Sequence, residues 1–164
     1  LFAMSTACQS PPEQRPELRT PGLDEELSKL LPFQVPLIGV DSLRALKEGM
    51  LLLDTRARAE YERSHLPGAR WAGFREFDGG RWAELPRDTL IVTYCSVGYR
   101  SDLIGQRLRE MGFERVYNLY GSLFEWANRG YPLQNERGDT VKEVHTYNEE
   151  WSRWIVRPDL QKDW

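Results

Sequence analysis

Apolar positions along the chain fall into two rhythms. Leu23, Leu27, Leu30 and Leu31 recur at i, i+4, i+7 and i+8, one face of a helix that Pro32 ends. Continuous apolar runs behave differently: Met50 to Leu53 reads as a strand buried on both faces, closed by Asp54. Strand-like segments at Pro36 to Val40, Ala69 to Ala72, Thr89 to Tyr94 and Arg115 to Leu119 alternate with helical ones. The helical segments are Ser42 to Glu48 with Asp41 as N-cap, Ala57 to Ser64, Ser101 to Met111 before Gly112, and Ser122 to Arg129 before Gly130. Five strands alternating with helices predict an α/β fold with a five-stranded, mainly parallel sheet and helices on both faces. In such sheets ligands sit at the carboxyl ends of strands, where polar loops follow Leu53 and Tyr94.

The segments outside this alternation set the organisation. Gln9 to Pro21 carries four prolines and the charges of Glu13, Arg15, Glu17 and Arg19 around one leucine, a composition that reads as a spacer without order of its own. Residues 1–32 are therefore taken as a polar tail with a short capping helix, 33–133 as the α/β domain, and 134–164 as a Trp-rich extension docked on it. In that extension Thr146 to Glu149 fits a capping box, and Tyr147, Trp151, Trp154 and Ile155 share the face of a predicted helix. Docking on the domain is the plain reading of that face and partner binding the sharper one.

Length and charge narrow the function classes. The 164 residues suffice for one domain with a core of its own. With 22 Lys and Arg against 25 Asp and Glu, a net −3, there is no basic field to hold nucleic acid. Two cysteines, Cys8 and Cys95, build no disulfide framework, and His65 and His145 stand at no ligand spacing from either, so no metal is expected.

Cys8 follows a short apolar end and the small residues Ser5, Thr6 and Ala7, similar to a lipoprotein cleavage site. On that reading Cys8 is a lipid anchor and the protein belongs to the bacterial cell envelope or periplasm. On the other, Met4 is a start, Cys8 is idle and the location is cytoplasmic.

The chemistry concentrates at Cys95. The strand ending at Tyr94 runs into CSVGYRS, where Cys95 opens a loop of Ser96, Val97, Gly98 and Tyr99 and Arg100 closes it before a helix. A thiolate at a strand end, ringed by loop N–H groups and facing a helix N-terminus, has a lowered pKa. Gly98 supplies the backbone freedom such a cradle needs, and Arg100 a permanent cation with a donor fork for an oxyanion. A buried structural cysteine would not explain the abrupt change to small and polar residues after it.

Three stretches resemble the single-domain rhodaneses, a sulfurtransferase family. They are LLLDTRARAEYERSHLPGARW, IVTYCSVGYRS and, more weakly, GSLFEWANRGYP, where Ser122 replaces a usual Gly; the likeness spans Pro36 to Leu133. The resemblance implies a rhodanese-like fold and double displacement through a Cys95 persulfide, with a small molecule such as thiosulfate or a protein as sulfur donor and cyanide or a thiol as acceptor. Ser96, Val97, Gly98, Tyr99 and Arg100 would bind substrate, and Asp54, Arg56, Glu60 and His65 would hold the scaffold. Arg56 and Glu60 read as an i, i+4 pair on one helix, and His65 as a turn-stabilising group rather than a general base. The loop is six residues long, one fewer than in dual-specificity phosphatases, which argues against phosphoryl chemistry. No cofactor is implied, and a monomer is expected. The competing reading is a non-catalytic binding module that keeps the fold.

Overall fold

The apolar runs pair side by side as five parallel strands: β1 (Leu37–Ile38), β2 (Met50–Asp54), β3 (Arg70–Trp71), β4 (Leu90–Tyr94) and β5 (Arg115–Leu119), in the order β1-β5-β4-β2-β3. This computed structural model describes residues 12–46 and 48–164; Cys8 and the apolar N-terminal end lie outside the described residues. β2 and β4 run in full register from Met50 opposite Leu90 to Asp54 opposite Tyr94, so both strands end at the same level. The sheet is parallel throughout, as the alternation of apolar strands with helices predicts.

Alternate residues of β2 and β4 point to opposite faces, which is why each strand is apolar at successive positions. One face carries Leu52 and Val92 against α1 (Leu23–Leu30), α2 (Val40–Ala45) and α5 (Ser122–Asn128). The other carries Leu53 and Ile91 against Ile104 and Leu108 of α4 (Tyr99–Glu110), with Phe77 and Trp82 from the segment after β3. Trp82 sits in a one-turn 3₁₀ helix, Gly79–Trp82, and is fully buried. α3 (Arg58–Arg63) follows β2 and turns its buried Glu60 inward.

Four readings of the sequence are corrected. α2 begins at Val40 with Gly39 in the N-cap position; Asp41 lies inside the first turn, where it accepts an ion pair from Arg129 at 2.7 Å. Arg56 precedes α3 and is not a helical partner of Glu60: it pairs with Asp54, and Glu60 pairs with Arg100. The proline-rich stretch is packed where it is described. Buried Glu125 accepts the backbone N–H of Arg19 at 2.7 Å and of Thr20 at 3.1 Å, and Arg15 pairs with Asp24 at 2.7 Å. A segment with little apolar surface is thus ordered by a carboxylate that captures its backbone.

The predicted C-terminal helix does not form. After the antiparallel pair β6 (Leu133–Gln134) and β7 (Thr140–Val141), β8 (Glu143–His145) lies parallel to β9 (Gln161–Asp163), and only a 3₁₀ turn, Trp151–Trp154, stands between them. Thr146 does not cap a helix, because its hydroxyl and N–H both donate to the carbonyl of Asp163. Tyr147 then takes a φ of 71°, which no right-handed helix accommodates. The extension nevertheless buries Val144 and Ile155 in the core.

Candidate active site

Cys95 stands immediately beyond β4, at the carboxyl edge of the sheet, and is 2% exposed. Local hydrogen bonds force the loop after it into a cup. The first turn of α5 takes up the loop's carbonyls, with Leu123 N–H donating to Cys95 and Phe124 N–H to Ser96. Asn118 Nδ2 donates to the Gly98 carbonyl at 2.9 Å, holding the next peptide. With its carbonyls bound outward, the loop turns N–H groups toward the sulfur: Gly98 N–H donates to Cys95 Sγ at 3.1 Å. Gly98 has a φ of 122°, a conformation that side-chain-bearing residues rarely adopt, and α4 starts at the next residue with its positive end toward the thiol.

Opposed effects act on the thiol. Burial pushes its pKa up, but the Arg100 charge and the N–H groups of Ser101 and Gly98 outweigh burial, so the thiol lies below its ordinary value. The Ser101 hydroxyl has one proton and gives it to Asn118 Oδ1 at 2.7 Å. The site therefore makes the thiolate more accessible than it is for a free cysteine.

Arg100 is held by Glu60 through two parallel bonds, Nη1 to Oε2 at 2.7 Å and Nη2 to Oε1 at 2.9 Å, and it also donates to Ser96 Oγ at 3.2 Å. Burial raises the Glu60 pKa, but its bonds to Arg100 and the nearby charge of Arg56 leave it below the usual carboxylate range. Glu60 also accepts the Ala57 N–H at 2.9 Å, which fixes the carboxylate to the start of α3. Glu60 thus fixes the Arg100 guanidinium at the cavity wall, where its charge acts on the thiol beside it.

The remaining scaffold residues lie behind this cup. Asp54 takes bonds from Arg56 at 2.6 Å, from the Arg56 N–H at 3.0 Å and from the Tyr94 hydroxyl at 2.7 Å, all fully buried. Arg56 also donates to the Ser64 carbonyl, closing the turn into which His65 leads. His65 stacks on Tyr61 with ring centroids 4.0 Å apart, its Nδ1 lies 2.9 Å from the Tyr61 carbonyl, and its backbone pairs with Gln134. Asp54, Arg56 and His65 do not line the cavity at Cys95; Glu60, Ser96, Val97, Tyr99 and Arg100 do.

That cavity holds about 510 Å³ and has walls that sequence reasoning missed: Leu30, Phe74, Arg75, Glu76, Tyr147 and Trp151. Arg75 and Glu76 are both exposed and make no ion pair among the described residues, so a cation and a carboxylate stand side by side on this wall. Ser122 is a further omission. It occupies a left-handed conformation, φ 49°, and its hydroxyl donates to Leu119 O at 2.9 Å while accepting the Cys95 N–H at 3.3 Å. The signal was present as a serine in a Gly-rich position, but its target lies 27 residues away.

Comparison with known proteins agrees with this geometry. A family model described as "Rhodanese-like domain" matches residues 40–129. A sulfurtransferase of Allochromatium vinosum is 34% identical over 91 residues, which cover 56% of this chain and 84% of that protein. A tRNA uridine(34) hydroxylase of Onion yellows phytoplasma is 32% identical over 119 residues; the match covers 69% of this chain and 39% of the hydroxylase. Among solved structures, the rhodanese-like domain of an Anabaena protein superposes with a TM-score of 0.57 at 24% identity, covering 62% of this chain and 80% of that one.

Proposed function

This chain belongs to the rhodanese-like domain family, and we propose that it transfers sulfane sulfur through a persulfide on Cys95. The family's sulfurtransferase members support transfer of sulfur as the type of reaction. One observation carries the assignment to this site: a buried sulfur that accepts Gly98 N–H at 3.1 Å beside Arg100, with its pKa drawn down.

The chemistry follows from that arrangement. The Cys95 thiolate attacks the outer sulfur of thiosulfate; a sulfur–sulfur bond forms to Cys95 as the bond within thiosulfate breaks, and sulfite leaves with the electron pair. The persulfide that results keeps its negative charge among the same N–H groups. A nucleophilic acceptor, cyanide or a thiolate, then takes the outer sulfur and Cys95 departs as thiolate. Low basicity serves this second step, because a weakly basic thiolate is the better leaving group. Arg100, tied to Glu60, stabilises both sulfur anions.

Steady-state turnover of thiosulfate and cyanide tests the assignment. Wild-type protein is expected to produce thiocyanate and Cys95→Ser to produce none above background. Turnover retained by Cys95→Ser would overturn it, and a folded wild type with no turnover would favour the binding-module reading.

A further inference from the structure

The cavity at Cys95 is larger than its reaction with simple anions requires, and it is not built by the family domain alone. At about 510 Å³ it falls in the ~300–1,000 Å³ range of pockets that enclose drug-sized ligands, whereas thiosulfate and cyanide are far smaller. Its floor is buried and charge-compensated: Cys95 and Ser96 with the Glu60–Arg100 pair. The rest of the lining carries the exposed charges of Arg75 and Glu76 and an apolar and aromatic set, Leu30, Phe74, Val97, Tyr99, Tyr147 and Trp151. The last two lie beyond residue 129, where the family match ends.

The extension places those two side chains by specific bonds. Thr146 is pinned to Asp163, the Tyr147 N–H donates to His145 Nδ1 at 3.1 Å, and the Trp151 N–H donates to Asn148 Oδ1 at 2.9 Å. Trp151 packs against the core, whereas Tyr147 remains 56% exposed with its ring 5.2 Å from the Arg100 guanidinium. A tyrosine in a left-handed conformation, φ 71°, with most of its ring bare contributes little to the core. Its position over the catalytic loop gives it another use.

We propose that the C-terminal extension is the acceptor-selecting wall of this pocket, and that the acceptor is a small organic thiol with an aromatic or branched apolar body. This inference rests on the sulfur-transfer reading above. The body of the acceptor stacks between Tyr147 and Trp151 while its sulfur reaches down to Cys95. The acceptor thiolate attacks the outer sulfur of the persulfide, the new sulfur–sulfur bond forms as the bond to Cys95 Sγ breaks, and Cys95 leaves as thiolate. The product is the persulfide of the acceptor, and no outside oxidant or reductant enters.

The test uses the full chain loaded with thiosulfate and compares two thiols of similar basicity, benzyl mercaptan and 2-mercaptoethanol, each rate divided by that of the same protein with cyanide. Wild type is expected to prefer benzyl mercaptan at least tenfold in kcat/KM. Tyr147→Gly, which removes the ring and suits the positive φ, and Trp151→Leu should each cut that preference at least fivefold, while Tyr147→Phe should keep it. A wild type without preference, or one that both ring-removing variants retain in full, would overturn the inference. A wild type that never acquires a sulfur from thiosulfate would instead overturn the sulfur-transfer reading beneath it.

Discussion

Asp54–Arg56 and Glu60–Arg100 are both arginine–carboxylate pairs close to Cys95, yet they do different work. The first is sealed, with both side chains 0% exposed and its carboxylate shared with the Tyr94 hydroxyl. The second is open on one side: Glu60 is 3% exposed and Arg100 16%, and both line the cavity. Charge sealed within the scaffold joins β2, β4 and the turn after α3, and does not line the cavity. Charge at the cavity wall changes the thiol. Burial and neighbours therefore separate a structural arginine from a functional one where residue type does not.

Breaking the sealed pair should have the largest effect on stability. Arg56→Ala leaves Asp54 buried without its countercharge, at a cost of about 3 to 5 kcal/mol, read from denaturant unfolding. The variant that remains folded at low temperature should keep the wild-type pH profile of Cys95 alkylation. A loss of under about 1 kcal/mol would place the pair outside the scaffold.

Arg100→Ala should destabilise less, about 3 kcal/mol, since water entering the cavity can solvate Glu60. Its signature is in the pH profile. Burial, which pushes the Cys95 thiol up, loses its main opponent, so the inflection of the iodoacetamide reaction should move to higher pH. The linkage has a definite sign. The wild-type thiol is depressed on folding, so its stabilising contribution is complete above the unfolded thiol's pKa and is lost as pH falls through the folded value. In Arg100→Ala that contribution shrinks or reverses. An unmoved inflection would remove Arg100 from the thiol's surroundings.

Smaller effects are expected further from the charge pairs. His65→Ala gives up the bond to the Tyr61 carbonyl and the ring stack, at about 1 to 2 kcal/mol, with sulfur transfer preserved in the folded variant. A large rate loss with an unchanged melting curve would make His65 a catalytic group. Ser122→Gly sets two effects against each other. Relief of a left-handed conformation returns about 1 kcal/mol and loss of two hydroxyl bonds costs a similar amount, so Tm should stay nearly fixed. Thiosulfate turnover should fall modestly, because the Cys95 N–H loses its acceptor.

Sequence reading succeeds here where the cause is local. β2 and β4 are visible as apolar runs because both of their faces are covered, and the cup after Tyr94 is visible because Gly98 and Arg100 occur within one turn of Cys95. It fails where the partner is distant. Glu60 and Arg100 are 40 residues apart, so the i, i+4 spacing pointed to Arg56 instead. Arg19 and Thr20 are ordered by Glu125, more than 100 residues away, an effect that composition does not reveal. The aromatic spacing of Tyr147, Trp151 and Trp154 suggests a helix, yet the bonds from Thr146 to Asp163 and the pairing of β8 with β9 decide against it. For the same reason the upper wall of the cavity is seen only in three dimensions.

In the proposed transfer Cys95 is the residue that carries sulfur between donor and acceptor, and intact-mass measurement with peptide mapping tests that role directly. After thiosulfate treatment the full chain should gain the mass of one sulfur atom, located on the peptide containing Cys95 and not on that containing Cys8, and cyanide should remove it. An unchanged mass, or the same gain in Cys95→Ser, would contradict the account.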